Sequence, residues 1–384
     1  GLRERGVGAG DRVALALPSV ELVPALHACL LIGAVAVPID LRLRPEERRA
    51  RVQGTALVLE APVSGEPVEP GERDPGEPAT LMFTSGTTAG PKPVALSYEN
   101  WLWNAIGSAL ALGLDPHERW LCPMPLAHVG GLSIQIRSAV YGTTVLLHDR
   151  FDTDAVLAAL SAPEAAVTLV SLVPTMLARL LDAGLRKPPT LRWALLGGAP
   201  IPRALLERAE AAGVPVAYSY GMTEACSQIA TNGWPLLGTE IRLSEEQEVL
   251  VRGRTVAAGA LAEDGWLHTG DLGGFDPDGR LVIRGRQADT IITGGENVAP
   301  DEVEAALLEH PGVREAAVFA RPDPEWGEAV VARVVPGREP APTPAELREH
   351  CAARLAPFKV PKLIELAAEV PRGPTGKLLR RELH

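Results

Sequence analysis

Phe83-Thr84-Ser85-Gly86-Thr87-Thr88-Ala89-Gly90-Pro91-Lys92 follows directly on the apolar run Ala79 to Phe83, so a buried strand feeds a loop rich in hydroxyl and glycine residues. Successive backbone N–H groups in such a turn converge on an anion, the threonines and serine add hydroxyl donors, and Lys92 adds a point charge. That chemistry suits a polyphosphate. It is not the Walker loop, whose G-x-x-x-x-G-K-[ST] spacing needs a hydroxyl residue after the lysine, where this chain has Pro93. A plain surface turn rich in Gly and Thr would carry the same letters.

Outward from the loop, short aliphatic strands alternate with helical patterns from Arg12 to about Ser219, the rhythm of parallel β-α units. Strands are expected at Arg12 to Leu17, Ala34 to Ile39, Thr55 to Leu59, Thr80 to Phe83, Trp120 to Cys122, Thr143 to Leu147, Val167 to Leu172, Trp193 to Leu196 and Val214 to Tyr218. Helices are expected at Val20 to Leu31, Asp154 to Leu160, Pro174 to Leu181 and Pro202 to Ala211. Ala61 to Pro78, dense in Pro, Gly and Glu, reads as an exposed linker.

After Tyr220 the pattern changes. Residues 234–288 read as short antiparallel strands, with Asp276-Pro277-Asp278-Gly279 as a turn. Beyond Gly285 come a helix (Pro300 to Glu309), two strands (Ala316 to Ala320, Glu328 to Val335), a helix (Pro344 to Leu355), a strand (Lys362 to Leu366) and a basic tail. The expected fold is α/β: a large N-terminal lobe of layered α/β sheets plus a small β-strand region over residues 1–288, then a small mobile α+β domain over residues 289–384.

The chain has 384 residues, 46% hydrophobic but only 4% aromatic, so aliphatic side chains must fill the core. A formal net charge of -11 argues against a nucleic-acid or anionic-membrane binder and confines phosphate recognition to a local pocket. Cys29, Cys122, Cys226 and Cys351 form no C-x-x-C pair, which points to reduced thiols and a cytoplasmic location. No signal peptide is evident, and Ala25 to Val37 is too short to span a bilayer, so a soluble protein is expected. The chain opens at Gly1 in what reads as a helix end, the expectation for a trimmed N-terminus. Assembly into a homo-oligomer stays open.

Together with Tyr218-Ser219-Tyr220-Gly221-Met222-Thr223-Glu224, His268-Thr269-Gly270-Asp271, Gly285-Arg286-Gln287-Ala288-Asp289, Gly294-Gly295-Glu296-Asn297-Val298 and Pro374-Thr375-Gly376-Lys377, the loop resembles the adenylate-forming superfamily of acyl-CoA synthetases, carrier-loading adenylation domains and luciferases. Each motif alone is weak, but six in family order are specific. The resemblance implies a two-step reaction. A carboxylate attacks the α-phosphate of ATP to give an acyl adenylate and pyrophosphate, and a thiol, here that of CoA, then displaces AMP.

In that resemblance Thr84, Ser85, Gly86, Thr87, Thr88 and Lys92 hold the β- and γ-phosphates. Tyr220 stacks on adenine beside Gly221 and Met222, Thr223 touches the α-phosphate, and Glu224 ligates Mg²⁺, a hard ion that takes carboxylate and phosphate oxygens. Asp271 accepts the ribose hydroxyls with Arg286 assisting, and Gly197, Gly198 and Ala199 line the adenine. Lys377 bridges the carboxylate and the α-phosphate during adenylation. The small domain swivels at Asp289 between the half-reactions, withdrawing Lys377 and bringing Gly294, Gly295 and Glu296 to the thiol.

Pro125 to Ser133 is similar to the segment bordering the acyl pocket, where His128 gates the pocket or polarises the carboxylate. With Val167 to Leu177, this segment is most similar to the branch of the family that activates 2-succinylbenzoate, an aromatic dicarboxylate of menaquinone biosynthesis. Ser133, Arg137 and Thr175 are the candidates for the second carboxylate. Another aryl or medium-chain acid–CoA ligase, a carrier-loading domain and a nucleotide-binding regulator without turnover are the alternatives. Two departures from the family pattern stand out: Ala89 replaces a usual glycine, and the stretch after Cys226 reads as a shortened linker.

Overall fold

The structure is a computed structural model and describes residues 1–84, 92–337, 340–373 and 378–383. In the first sheet Leu57–Leu59, Arg12–Leu15, Val35–Pro38 and Pro78–Thr84 run parallel, and Lys92–Ser97 closes the edge antiparallel to Pro78–Thr84. The loop quoted above is therefore the connection of a hairpin, with Thr84 opposite Lys92 in register. In the second sheet the order is Trp234–Pro235, Ser227–Thr231, Val216–Met222, Trp193–Leu196, Leu169–Leu172, Arg119–Cys122, Thr144–Leu147, and its last five strands are parallel. Such strands, buried on both faces, read as unbroken aliphatic runs rather than as alternation, and Val13, Ala14, Leu15, Leu121, Val170 and Leu196 are all buried.

Two helices carry the front of the large lobe. Tyr98–Leu112 starts at a capping box, in which Asn100 N–H donates to Ser97 Oγ and Ser97 N–H donates to Asn100 Oδ1. Val129–Tyr141 starts at His128 with no side-chain cap. A Cβ at Gly131 would sit 2.4 Å from the Pro125 carbonyl oxygen, so only glycine lets this helix begin so close to the preceding loop.

A third sheet is antiparallel, ordered Thr239–Leu243, Glu248–Gly253, Leu267–Phe275 and Leu281–Arg286, the last two joined at the expected Asp276–Gly279 turn. A short 3-10 helix, Gln287–Asp289, leads to the last sheet. That sheet pairs Glu296–Val298, Ile291–Thr293, Gly327–Pro336, Val313–Asp323 and Leu363–Leu366, backed by helices Pro300–Leu308 and Pro344–Ala352.

One expectation needs correction. The stretch after Cys226 is no linker: Ser227–Thr231 pairs antiparallel with Val216–Met222 and continues the second sheet. Ala61 to Pro78 is an exposed stretch without regular structure up to the strand that begins at Pro78, as expected, and it is anchored at three points. Val63 and Val68 pack on the core, and the Arg73 guanidinium lies where a Gly33 side chain would stand and donates to the Leu31 carbonyl. The four cysteines are free and buried, as the sequence suggests.

Candidate active site

A cavity of about 2620 Å³ runs between the large lobe and the elements after Asp289. One corner of it is built by three strands. Asp271 and Arg286 are direct partners across the hairpin, and the Arg286 Nε lies 2.6 Å from Asp271 Oδ1. From the second sheet the Tyr220 hydroxyl donates to Asp271 Oδ2 at 2.7 Å. Behind them the Asp271 N–H donates to Thr269 Oγ1, whose own hydroxyl donates to the Val249 carbonyl. Burial, reinforced by the Asp271 charge, pushes the Tyr220 phenol well above its ordinary pKa, so it stays a hydrogen donor. Asp271 is 5% exposed and Arg286 is 42% exposed. A buried acceptor thus faces the cavity with its orientation fixed from three sides.

Gly198 and Ala199 line the same cavity just past the strand Trp193–Leu196, where open α/β sheets place ligands. Gly198 has φ +81°, and a Cβ on Gly197 would meet Ser219 Oγ at 2.5 Å, so this turn tolerates little besides glycine. Gly221 presses still closer to the neighbouring strand, since a side chain there would overlap the Ser227 carbonyl. Bare backbone therefore forms this part of the wall.

His128 also lines the cavity, together with two residues that the sequence reading missed. Asp40 and Arg42 follow the strand Val35–Pro38. Asp40 accepts from Arg42 Nε at 2.8 Å and lies 3.5 Å from His128 Nε2, and Arg42 Nη2 stands 3.4 Å from the same nitrogen. Burial alone would raise the Asp40 carboxyl, but hydrogen bonds from Arg42 and His128 outweigh it and hold the group well below the usual carboxylate range. The available signal was position: a charged pair directly after a buried parallel strand.

The remaining predicted residues are less gathered. Thr84 Oγ1 donates to the Lys92 carbonyl at 3.5 Å, and neither side chain is part of the cavity wall. Ser85, Gly86, Thr87, Thr88 and Lys377 lie outside the described residues. Among the described residues the wall on the Val216–Met222 strand stops at Gly221, with Met222, Thr223 and Glu224 half-buried beyond it. No cluster of three or more metal-ligating side chains occurs among the described residues. One carboxylate plus phosphate oxygens is a common Mg²⁺ arrangement, and Glu224, half-buried beyond the wall, is the carboxylate expected for it. Gly294 and Gly295, at φ +59° and +86°, make the turn before Glu296, and a Gly294 Cβ would strike the Trp326 ring at 2.9 Å. That turn is not in the cavity wall, whereas Asn297 is.

Of the candidates for a second carboxylate, Thr175 lines the cavity while Ser133 and Arg137 are buried on the helix Val129–Tyr141. The Arg137 guanidinium is held by the Asn104 carbonyl oxygen and lies over the Trp120 ring. Among the described residues no carboxylate pairs with it.

Comparison with known proteins follows the same outline. The AMP-binding enzyme profile matches residues 1–59 and 49–261, and that of the AMP-binding enzyme C-terminal domain matches residues 302–377. A 2-succinylbenzoate–CoA ligase of Bacillus licheniformis is 40% identical over 441 aligned positions covering 100% of this chain and 91% of the relative. The Bacillus subtilis ligase of the same name is 38% identical, covering 100% and 89%. The structure of o-succinylbenzoate CoA synthetase from Bacillus subtilis in complex with its acyl-adenylate intermediate superposes with TM-score 0.90 at 36% identity, covering 100% of this chain and 90% of that one. The same synthetase with ATP and magnesium ion gives 0.88, and its double mutant with a product analogue gives 0.71. An alignment of 441 positions against 384 residues, a difference of 57, means that relatives carry segments this chain lacks. The chain belongs to the AMP-binding enzyme family.

Proposed function

We infer that the protein is an AMP-forming acid–CoA ligase that activates 2-succinylbenzoate with ATP and passes the acyl group to CoA, a step of menaquinone biosynthesis. The observation that carries this reading is the Tyr220–Asp271–Arg286 constellation, on a chain matched from end to end by ligases of that name. Asp271 would accept the hydroxyls of a ribose, and Arg286 holds the carboxylate to that edge. His128, held between Asp40 and Arg42 in the cavity wall, would gate the pocket or polarise the acid's carboxylate. Arg137, buried outside the cavity wall and held by the Asn104 oxygen and the Trp120 face with no carboxylate beside it among the described residues, is the charged candidate for the acid's second carboxylate, and Thr175 in the wall is the neutral one.

In the proposed mechanism residues 1–288 bind ATP and the acid, and residues 289–384 form the swivelling domain. Thr84, Ser85, Gly86, Thr87, Thr88 and Lys92 would hold the outer phosphates. Mg²⁺, held by Glu224, would neutralise phosphate charge. Tyr220, Gly221, Gly197, Gly198 and Ala199 would sandwich the adenine, and Thr223 would reach the α-phosphate. Lys377 would stabilise the charge that develops as carboxylate and phosphate meet. Gly294, Gly295 and Glu296 would border the path of CoA after the swivel at Asp289. No helix among the described residues is long and apolar enough to cross a membrane, and we place the enzyme in the cytoplasm.

The test is to incubate the protein with ATP, Mg²⁺ and a panel of acids, with and without CoA, measuring pyrophosphate and thioester. Both products with 2-succinylbenzoate are expected. Thioester with a different acid would move the substrate, pyrophosphate without thioester would indicate carrier loading, and nucleotide binding without turnover would indicate a regulator.

A further inference from the structure

Arg380 is a guanidinium only 17% exposed, ringed by carboxylates from two other elements. Its Nη2 donates to Asp301 and lies 3.1 Å from the Glu304 carboxylate, both on the helix Pro300–Leu308. Its Nε faces Asp289 Oδ2 at 3.5 Å, an ion-pair distance without hydrogen-bond alignment. Asp289 ends the 3-10 helix between the two lobes, and Asp301 lies 3.6 Å from where a Gly285 Cβ would stand. The cluster therefore sits at the junction.

The same arginine closes the base of a loop. The Leu379 N–H donates to the Pro371 carbonyl at 2.9 Å, and Arg372 and Leu378 form an antiparallel bridge. One side of this stem is tied by Arg372 to Glu315 at 2.9 Å, and the other by Arg380 to Asp301 and Glu304. Val370 and Leu383 are buried with Phe319 beside it. Lys377 itself lies outside the described residues, in sequence three positions before Arg380.

We propose that Arg380 is a positioning residue for adenylation: it fixes the stem of the Lys377 loop to the helix Pro300–Leu308 and to Asp289, and acts through Lys377 rather than on the acid. This rests on the ligase reading, in which Lys377 serves the first half-reaction alone. Even with Glu304 protonated, Asp289 and Asp301 exceed what one guanidinium needs for neutrality, and like charges at close quarters repel. Without Arg380 the helix would no longer hold the stem, and the acids would push apart. The Asp289 contact lacks hydrogen-bond alignment, so it is the one that rotation at Asp289 would break first.

Wild type, R380A, R380K and K377A are compared in two assays. One measures pyrophosphate release from ATP, Mg²⁺ and 2-succinylbenzoate without CoA. The other measures thioester formation from preformed acyl adenylate and CoA. R380A should lose about tenfold or more in the first and stay within about twofold of wild type in the second, K377A should show the same pattern, and R380K should fall between. Unchanged adenylation in R380A, or equal loss in both assays, overturns the proposal. Should R380A fail to fold, R380K decides by the same ratio: a selective adenylation loss supports the role, and an unchanged ratio overturns it. A wild type inactive toward every acid would defeat the ligase reading and this inference together, whereas an active wild type with an unselective R380A defeats only the inference.

Discussion

The Asp271 corner and the Arg380 clasp are both ion pairs at the cavity, yet they are balanced differently. At Asp271 a carboxylate meets the Arg286 guanidinium from the paired strand and the Tyr220 hydroxyl from the second sheet. At Arg380 one guanidinium meets three carboxylates, and burial, with Asp301 adding to it against the Arg380 charge, lifts Glu304 to about 8. A balanced site on rigid strands holds one geometry, whereas a surplus of buried like charge makes the arrangement sensitive to whatever moves its one cation. The first suits a nucleotide that stays bound through both half-reactions. The second suits a part that must be placed for only one of them.

The largest effect should come from D271A. Losing charge-assisted acceptance of the ribose costs about 2–3 kcal/mol, near a hundredfold in ATP and AMP affinity, and both half-reactions should suffer. Calorimetric titration with AMP checks this. AMP binding at the wild-type level would break the comparison, because the corner would then be structural only.

R137M should lower kcat/KM for 2-succinylbenzoate about thirtyfold while leaving the KM for ATP within about twofold. Steady-state kinetics with the acid and with an analogue lacking its second carboxylate give the reading, since the analogue should lose far less. Equal losses for both would remove Arg137 from acid recognition.

Y220F deletes one of the partners of Asp271 and should weaken ATP binding by about tenfold or less, the cost of one hydrogen bond to a buried charged acceptor. A Y220F loss larger than that of D271A would mean that Tyr220 acts mainly by contact with the base rather than through the carboxylate.

The smallest effect belongs to Glu304. Its carboxyl in the fold titrates at about 8 against an ordinary 4.5, so the folded protein keeps a proton that the unfolded chain releases between those values. The stability it contributes is complete below the ordinary value and is lost as pH rises through about 8. E304Q, neutral throughout, should flatten that slope, as denaturant midpoints at about pH 5 and pH 8 would show. Parallel slopes for the two proteins would mean that the Arg380 clasp carries no buried proton.

Much of the fold was legible because buried parallel strands announce themselves as aliphatic runs. Trp193–Leu196 lies where the sequence places it, and Arg12–Leu15 and Leu169–Leu172 fall within their expected spans. The helix Tyr98–Leu112 was not foreseen, because it follows Lys92–Ser97 with no glycine or proline between and its cap uses Asn100 where Glu or Gln is the usual signal. Val129–Tyr141 was read only as a pocket border, since Gly130 and Gly131 in its first turn hide the helical pattern. In the site, Asp271 and Arg286 were legible through their motifs. Asp40, Arg42 and Arg380 were not, because His128, which the first two face, and the acids around Arg380 lie far away in sequence and only the fold brings them together.

The stem that joins Pro371 to Leu379 has a mechanical corollary. A lysine at the end of a long tether would search a volume, and its arrival would be a matter of chance encounter. Mounted on such a stem, the proposed catalytic lysine would go only where the small domain carries it. The tempo of the first chemical step should therefore follow the rocking of the whole small domain, and lengthening the stem by a few glycines should uncouple the two.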